Sequence, residues 1–452
     1  MPEPVSSNLR QRALRAGGWS FGGHLFSQVM RLGGNLVMTR LLVPEMFGVV
    51  AIATVVMVIL TMLSDIGLRQ HIIQSRRGDD PVFLDTAWVV QIVRGIGIWL
   101  VALLVSAALY LADLGGLVPA KSVYALAELP LVIAVNSFAA VILGFQSTNV
   151  ATAHRNFDQK RIVQIDLLGQ LVALTVMVSI GAATRSVWAI VAGGLCGVLV
   201  TTLLSHSWLS GPLNRFHWDR AALDELIHFG KWLFVSSAMT VLAFNGDRLL
   251  LGGFIQADDL GKYAIAGLIV GAFEAALGKM FGAMALPALS ETVRNDPSRL
   301  REVYYKLRVP CDLALLFVAG LLFATGQMVV DLLYDPRYAE AGGMLQVLAL
   351  SLIAARYGVA YEVYLALGKP RYLAVINAVR CVSLFSLVPF LFYFGGIQAA
   401  IWGIALHGLA MLPFIFGFNS LLGVNDFRRE LLVLIALPIG FLCGSGILFL
   451  RG

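Results

Sequence analysis

Thirteen long apolar segments constrain this 452-residue chain more than any other feature of its sequence. A helix that crosses a bilayer needs about 20 mostly apolar residues, and each segment reaches that length. Only 13% of the residues are charged, against about 25% in a soluble domain. The length of the segments and their Leu, Ala and Gly content favour helices over barrel strands. The sequence therefore predicts an all-α polytopic membrane protein. The predicted spans are 17–40, 47–68, 84–110, 128–148, 164–183, 187–206, 230–253, 260–287, 309–331, 343–366, 373–394, 397–420 and 430–450.

The first predicted span recurs later in the chain. Residues Gly17–Ala53 align without a gap with Gly230–Ala266, 213 positions further on. The Trp and Phe at positions 19 and 21 recur at 232 and 234, and such aromatic matches are less expected by chance than matches among Gly, Ala and Leu. The spacing pairs the first span with the seventh, so each repeat holds six helices. A duplicated membrane protein is a common plan for a transporter that alternates access about a central site.

The basic residues between the spans predict the orientation. With the N-terminus in the cytoplasm, 21 Lys and Arg residues lie on the cytoplasmic side and six on the opposite side, which agrees with the positive-inside rule. Six helices return the chain to its starting side, so the two halves have the same topology. We predict two parallel-topology six-helix bundles, at 1–206 and 207–421, plus an additional transmembrane helix at 422–452. The second bundle starts with an interfacial segment at 215–232, for which an ordinary solvated loop is the alternative.

The sequence lacks the common motifs of enzyme and metal sites. It contains no Walker A, GxSxG or HExxH pattern. The four cysteines lie in apolar segments without the spacing of metal ligands. The net charge of +6 is explained by the loop asymmetry, so it does not indicate a nucleic-acid partner. We predict no enzyme activity, no cofactor, no metal site and no nucleic acid.

Charged residues within the predicted spans are the candidate functional residues. A charge at the bilayer centre costs about 2.5–3.5 kcal/mol on insertion scales, so such residues usually face a bundle interior or a wet cavity. A mainly cationic cavity suits an anionic ligand, because guanidinium groups match phosphate oxygens bidentately. The alternative, for any one residue, is an internal ion pair that holds helices together. The candidate substrate-binding residues are Arg31, Arg94, Arg248, Lys279, Arg356 and Arg380, with His24, Gln28 and Asn35 on the Arg31 face of the first span.

Four stretches resemble the polysaccharide-transport proteins of the MOP exporter superfamily. They are FNGDRLLLGGFIQADDLGKYAIA at 244–266, TRLLVPEMFGVVAIA at 39–53, VVDLLYDPRYAEAGGMLQVLAL at 329–350 and LALGKPR at 365–371. In the first stretch the family pattern is matched at Asp247, Arg248, Gly252, Leu260, Gly261, Tyr263 and Ala266, whereas Leu251 stands where the family often has Ile. Thirteen spans also depart from the twelve or fourteen that are common in this family.

The resemblance implies a V-shaped MOP fold and a Wzx-type flippase in the bacterial cytoplasmic (inner) membrane. Such a protein moves a polyprenyl-pyrophosphate-linked oligosaccharide between leaflets for exopolysaccharide, capsule or O-antigen synthesis, the O-antigen being part of lipopolysaccharide. The implied partners are that lipid-linked oligosaccharide, membrane lipids, a polysaccharide polymerase and glycosyltransferases. Asp247 and Glu274 are the candidates for coupling transport to H⁺ or Na⁺.

Two other functions stay open from the sequence. A cation-coupled multidrug or metabolite exporter of the related multidrug class needs acidic and aromatic groups in its cavity, and the excess of deep Arg residues argues against it. A membrane-embedded glycan polymerase or ligase tends to carry a large extracytoplasmic loop. The longest predicted outside loop here, 111–127, is short and nearly free of charge.

Overall fold

The computed structural model describes residues 7–65, 67–75, 77–156 and 158–451. The described side chains leave out residues 7–16, 70, 74, 224–240, 279–284 and 451. Helices, short 3-10 turns and loops make up the whole of the described chain, which has no strand. In chain order the helices are α1 (Ser7–Leu41), α2 (Pro44–Leu63), α3 (Leu68–Gln74), α4 (Pro81–Leu114), α5 (Leu129–Asn136), α6 (Ala139–Gly144), α7 (Asn149–Arg155), α8 (Gln159–Thr184), α9 (Trp188–Ser207), α10 (Arg220–Phe254), α11 (Ala257–Asn295), α12 (Leu300–Leu333), α13 (Glu340–Ala349), α14 (Leu352–Ala355), α15 (Gly358–Ala366), α16 (Pro370–Leu406), α17 (Leu412–Leu421), α18 (Phe427–Val433) and α19 (Ala436–Arg451).

The prediction of an all-α polytopic membrane protein is confirmed. Within the described residues, nine helical stretches are long and apolar enough to cross a membrane. A tenth is formed if Leu129–Gly144 and Asn149–Arg155, which meet at 64°, count as one broken span. The stretch Pro370–Leu421 contains two predicted spans, separated at Gly396 by a left-handed backbone conformation with φ of 63°. Helices α1 and α10 cover the remaining two predicted spans.

The first of two compact units comprises Met1–Val241. Within it α8 packs against both α9 and α1. The contact between α8 and α9 depends on small residues, because a Cβ atom on Gly169 would lie 2.2 Å from the Thr201 side chain and 3.0 Å from the Gly197 carbonyl oxygen. Small residues let helix backbones approach closely in a membrane, where packing rather than water exclusion drives association.

The second unit comprises Leu242–Gly452, and its last helix is tightly packed. A Cβ atom on Gly320 of α12 would lie 2.0 Å from the carbonyl oxygen of Leu437. One on Gly440 of α19 would lie 2.1 Å from the carbonyl oxygen of Phe317. The backbones of α12 and α19 are therefore in direct contact, and the additional C-terminal helix is an integral part of this unit.

The compact units divide inside α10, whereas the repeat predicts that the second half begins at residue 207. The segment before α10 is bound to the first unit by hydrogen bonds, which explains the later division. The Arg215 N–H donates to Asp85 at 2.9 Å, and the Asp219 N–H donates to Thr86 Oγ1 at 3.1 Å. The predicted boundaries at 206 and 421 describe the repeat in the sequence, and as boundaries of folded halves they stay a prediction.

Candidate functional site

The second unit contains a cavity of about 600 Å³. Its walls come from α10, α11, α12, α14, α15, α16 and the 3-10 turn at His407–Met411. Ionisable side chains inside a membrane protein usually face such a cavity and mark a functional site. The polar side chains that line it include Glu274, Arg356, Tyr361, Glu362, Arg380 and His407.

Arg380 of α16 is held by two neighbours at the cavity. Its guanidinium lies over the ring of Phe244, 4.0 Å from the centroid, in a cation–π contact. Its Nε donates a hydrogen bond to His407 Nε2 at 3.4 Å. The other ring nitrogen, Nδ1, lies 2.6 Å from the Ile404 carbonyl oxygen, which can only accept, so Nδ1 carries the proton and Nε2 is free to accept. These contacts orient Arg380 without a carboxylate partner among the described residues.

Arg356 lines the same cavity but is also part of a buried ion-pair cluster. Its Nη1 donates to Asp312 Oδ2 at 3.2 Å. Its Nη2 donates to the Tyr357 hydroxyl at 2.7 Å and lies 3.5 Å from Glu430 Oε2. Its Nε is buried and has no hydrogen-bond partner among the described residues. Because a buried donor without an acceptor costs free energy, this atom would gain from a water molecule or an anionic ligand.

Arg308 completes the cluster from one side. This side chain is fully buried, donates from Nη2 to Glu430 Oε2 at 2.9 Å and places its Nε 3.1 Å from Asp312 Oδ2. The ring of Tyr357 lies against both guanidiniums, 4.2 Å from that of Arg308 and 4.6 Å from that of Arg356. We call Arg308, Asp312, Arg356 and Glu430 the buried charge cluster. Its two cations and two carboxylates cancel in formal charge.

Three members of the buried charge cluster were not predicted as site residues. The predicted span 309–331 leaves Arg308 in the preceding loop. In the structure α12 begins at Leu300, and Arg308 is buried within this helix. The spacing of four residues between Arg308 and Asp312 is a local signal of a helical ion pair. Glu430 gives no local signal, because its partner Arg308 is 122 residues away.

Arg94 caps the end of another helix in the first unit. Its Nη2 donates to the Thr61 carbonyl oxygen at 2.6 Å and its Nε to Ser64 Oγ at 3.1 Å. Asp65 lies 3.9 Å from Nη1. A cation at the C-terminus of a helix satisfies free carbonyl groups and complements the helix dipole. Arg94 therefore has internal partners, as expected of a residue that holds helices together.

The predicted polar face of α1 divides between buried and exposed positions. Arg31 is exposed and donates to the side-chain carbonyl of Gln28, which is buried. His24 and Asn35 are half-buried. The amide nitrogen of Gln28 and the amide oxygen of Asn35 have no hydrogen-bond partner among the described residues. Gln170 of α8 donates to the Ser27 carbonyl oxygen at 3.0 Å, which joins α8 to this part of α1.

The remaining predicted residues lie on α10 and α11. Asp247 accepts a hydrogen bond from the Tyr263 hydroxyl. The Nε of Arg248 is buried and unpaired among the described residues. Neither residue lines the cavity of the second unit. The side chain of Lys279 lies outside the described residues.

The structure thus brings together a subset of the predicted site. Arg356, Arg380 and Glu274 share one cavity in the second unit. Arg31, Arg94, His24, Gln28 and Asn35 belong to the first unit. A binding role for each of these residues stays a prediction.

Residues 37–342 match the family of polysaccharide biosynthesis proteins. One relative is the lipopolysaccharide biosynthesis protein WzxC of Escherichia coli (strain K12), which is 23% identical over 309 residues. That match covers 66% of this chain and 58% of the relative, so the chain spans less than two thirds of the relative's length.

Two solved structures share the fold across most of the chain. One is an inward-facing multidrug resistance MATE family transporter of the MOP superfamily, with a TM-score of 0.69, 13% identity and coverage of 88% of this chain and 94% of that one. The other is the lipid II flippase MurJ in an inward closed conformation, with a TM-score of 0.67, 11% identity and coverage of 95% and 99%. At these identities the likeness concerns the fold, which is the predicted MOP fold. Because its family match extends over more than half of its length, the chain belongs to the family of polysaccharide biosynthesis proteins.

Proposed function

We propose that this protein is a flippase that moves a polyprenyl-pyrophosphate-linked oligosaccharide across the cytoplasmic membrane by alternating access. The observation that carries the proposal is the cavity in which Arg356 and Arg380 both take part. Family membership supports the polysaccharide context. The name of the related WzxC protein, which refers to lipopolysaccharide biosynthesis, supports a glycan built on a lipid carrier. The glycan would serve exopolysaccharide, capsule or O-antigen synthesis.

Arg380 is the residue best suited to hold the pyrophosphate. Its Nε contacts neutral His407 and its face contacts Phe244, so its positive charge is not neutralised by a carboxylate among the described residues. Its terminal nitrogens make no hydrogen bond within that part of the chain. A guanidinium with free terminal nitrogens can bind phosphate oxygens bidentately. In the same cavity, the Tyr361 hydroxyl and the Glu362 carboxylate would form hydrogen bonds with hydroxyl groups of the sugar.

Replacement of the free guanidinium tests the proposal directly. We expect purified wild-type protein in liposomes to flip fluorescent lipid-linked oligosaccharide, and Arg380→Gln to lower the flipping rate by about tenfold or more, because a hydrogen bond to a charged group contributes about 1.5–3 kcal/mol. Arg299→Gln is the matched control, since Arg299 is exposed and pairs only with Glu302 within the described chain. Equal rates for Arg380→Gln and wild type would contradict the assignment of the pyrophosphate site, and no flipping by wild type would contradict the function.

Glu274 is the better placed of the two predicted coupling residues. It lines the cavity, whereas Asp247 is engaged by Tyr263. If an H⁺ or Na⁺ gradient drives transport, Glu274→Gln should abolish the response of the flipping rate to an imposed gradient. A gradient response that survives in this variant would exclude Glu274 as the coupling group.

A cation-coupled multidrug or metabolite exporter is the second candidate. Two acidic residues, Glu274 and Glu362, and the aromatic rings of Phe244 and Tyr361 line the cavity, and such groups suit organic cations. Expression in a drug-sensitive host separates the two functions. Raised resistance to cationic drugs that is lost in Glu274→Gln would favour the exporter over the flippase.

A further inference from the structure

Arg356 faces two environments at once. It lines the cavity of the second unit, yet only 4% of its surface is exposed and its terminal nitrogens contact the buried charge cluster. Its Nε has no partner among the described residues. The cluster is therefore adjacent to the place where an anionic ligand would bind, and its carboxylates compete with that ligand for the same guanidinium.

We infer that Asp312 and Glu430 are positioning residues that limit how tightly Arg356 binds an anionic group in the cavity. This inference rests on the proposed function, in which that anionic group is a pyrophosphate. It assigns a role to two acidic residues that do not themselves line the cavity. It also makes the short helix α18, which carries Glu430, part of the transport site.

The hydrogen bonds of Arg356 within the cluster restrict how its guanidinium can bind a phosphate. A guanidinium binds a phosphate most strongly through two parallel N–H donors. In Arg356, Nη1 donates to Asp312 and Nη2 donates to Tyr357 while lying 3.5 Å from Glu430 Oε2. The Asp312 carboxylate, the Tyr357 hydroxyl and the Glu430 carboxylate therefore already engage both terminal nitrogens, and an anionic group in the cavity must compete with them for this guanidinium. Arg380, by contrast, keeps both terminal nitrogens available among the described residues.

The net charge of the buried charge cluster also limits how strongly Arg356 attracts an anion. The two arginines of the cluster are offset by Asp312 and Glu430, at contacts of 2.9 Å between Arg308 Nη2 and Glu430 Oε2 and 3.1 Å between Arg308 Nε and Asp312 Oδ2. A neutral cluster attracts a nearby anion much less than a single buried cation would, because Coulomb interactions are strong where water is excluded. A transported anion must leave as well as enter, so a weakened cation favours release.

The experiment is an isothermal titration of the full-length protein in detergent with inorganic pyrophosphate. Glu430→Gln leaves the cluster with one net positive charge, and we expect it to lower the Kd at least about tenfold, as one uncompensated charge at an effective dielectric constant of about 20 implies. Asp312→Asn changes the net charge equally and should act in the same direction. If Glu430→Gln does not accumulate in the membrane, the Kd of Asp312→Asn for pyrophosphate decides the question.

Two further variants separate charge from structure. Glu302→Gln removes an exposed carboxylate of the same unit and should leave the Kd unchanged. Arg308→Gln combined with Glu430→Gln restores the neutral cluster and should return the Kd to within about threefold of wild type. In proteoliposomes, Asp312→Asn should lower both KM and the maximal flipping rate, because tighter binding slows release. A purely structural role would lower the maximal rate without lowering KM.

The outcomes distinguish the inference from the function on which it rests. A Kd that is unchanged or higher in folded Asp312→Asn and Glu430→Gln overturns the inference, as does the absence of pyrophosphate binding in wild type and every variant. Tighter binding in both variants, reversed in the double variant, supports it. If wild type binds pyrophosphate in this way but does not flip lipid-linked oligosaccharide, the inference stands and the proposed function falls.

Discussion

Arg308 illustrates how burial changes the role of a single charged residue. Its guanidinium is inaccessible to solvent and contacts Glu430 and Asp312. The rings of Tyr304, Tyr305 and Tyr357 lie within 6 Å of it. The penalty for desolvating such a pair is offset only while each charge keeps its partner and its hydrogen bonds. The residue therefore acts as an internal link between α12 and α18.

Removal of this guanidinium should destabilise the protein strongly. We expect Arg308→Met to lower the free energy of unfolding by about 3–5 kcal/mol, because Glu430 is left buried without its main partner. Arg299→Met, which removes an exposed cation from the same end of α12, should change the free energy by about 1 kcal/mol at most. Thermal unfolding in detergent measures both, and equal midpoints for the two variants would show that the buried pair does not stabilise the fold.

At the scale of helices, the contact between α12 and α19 depends on the absence of side chains. Gly320 and Gly440 each place a backbone carbonyl of the opposite helix where a Cβ atom would lie. In lipid, close backbone approach replaces the hydrophobic driving force that joins helices in water. The same packing holds α18 next to α12, so that Glu430 reaches Arg308.

Two glycines on α19 provide a matched pair of variants. Gly440→Leu should separate α19 from α12 and lower the unfolding temperature measurably, since the added side chain meets the Phe317 carbonyl at 2.1 Å. Gly446→Leu adds the same side chain to the same helix, with nothing within 4 Å of its Cβ position among the described residues, and should be neutral or slightly stabilising because Leu has the higher helix propensity. A Gly440→Leu variant as stable as Gly446→Leu would contradict the close contact.

The sequence predicted the positions of the helices more accurately than the residues at which they begin and end. Each of the thirteen spans predicted from hydropathy falls on one or more helices of the described chain, because the thickness of the bilayer sets the length of an apolar run. Hydropathy placed the start of the span in α12 at 309, whereas the helix begins at Leu300. The nine residues between contain Arg301, Lys306 and Arg308, and a hydropathy average treats a paired, buried Arg in the same way as a solvated one.

At the scale of the whole molecule, the distribution of basic residues predicts a cytoplasmic N-terminus. The rule rests on the retention of Lys and Arg on the cytoplasmic side during insertion. In a background where the four native cysteines are replaced, Lys121→Cys should react with a membrane-impermeant maleimide in intact cells. Ser298→Cys should react only after the membrane is opened. The reverse pattern would invert the predicted topology.

The sequence by itself determined the class, the helical content and the family of this protein. The class and the helical content follow from apolar runs long enough to span a bilayer. The family follows from the match over residues 37–342. The tertiary structure decided which buried charges are paired. It placed Arg356 in a cluster with Asp312 and Glu430 and left Arg380 beside neutral partners. Both arginines lie within predicted spans, and their difference arises from the carboxylates of Asp312 on α12 and Glu430 on α18. The effect of a charge inside a membrane depends on the neighbours that folding brings within a few ångströms of it.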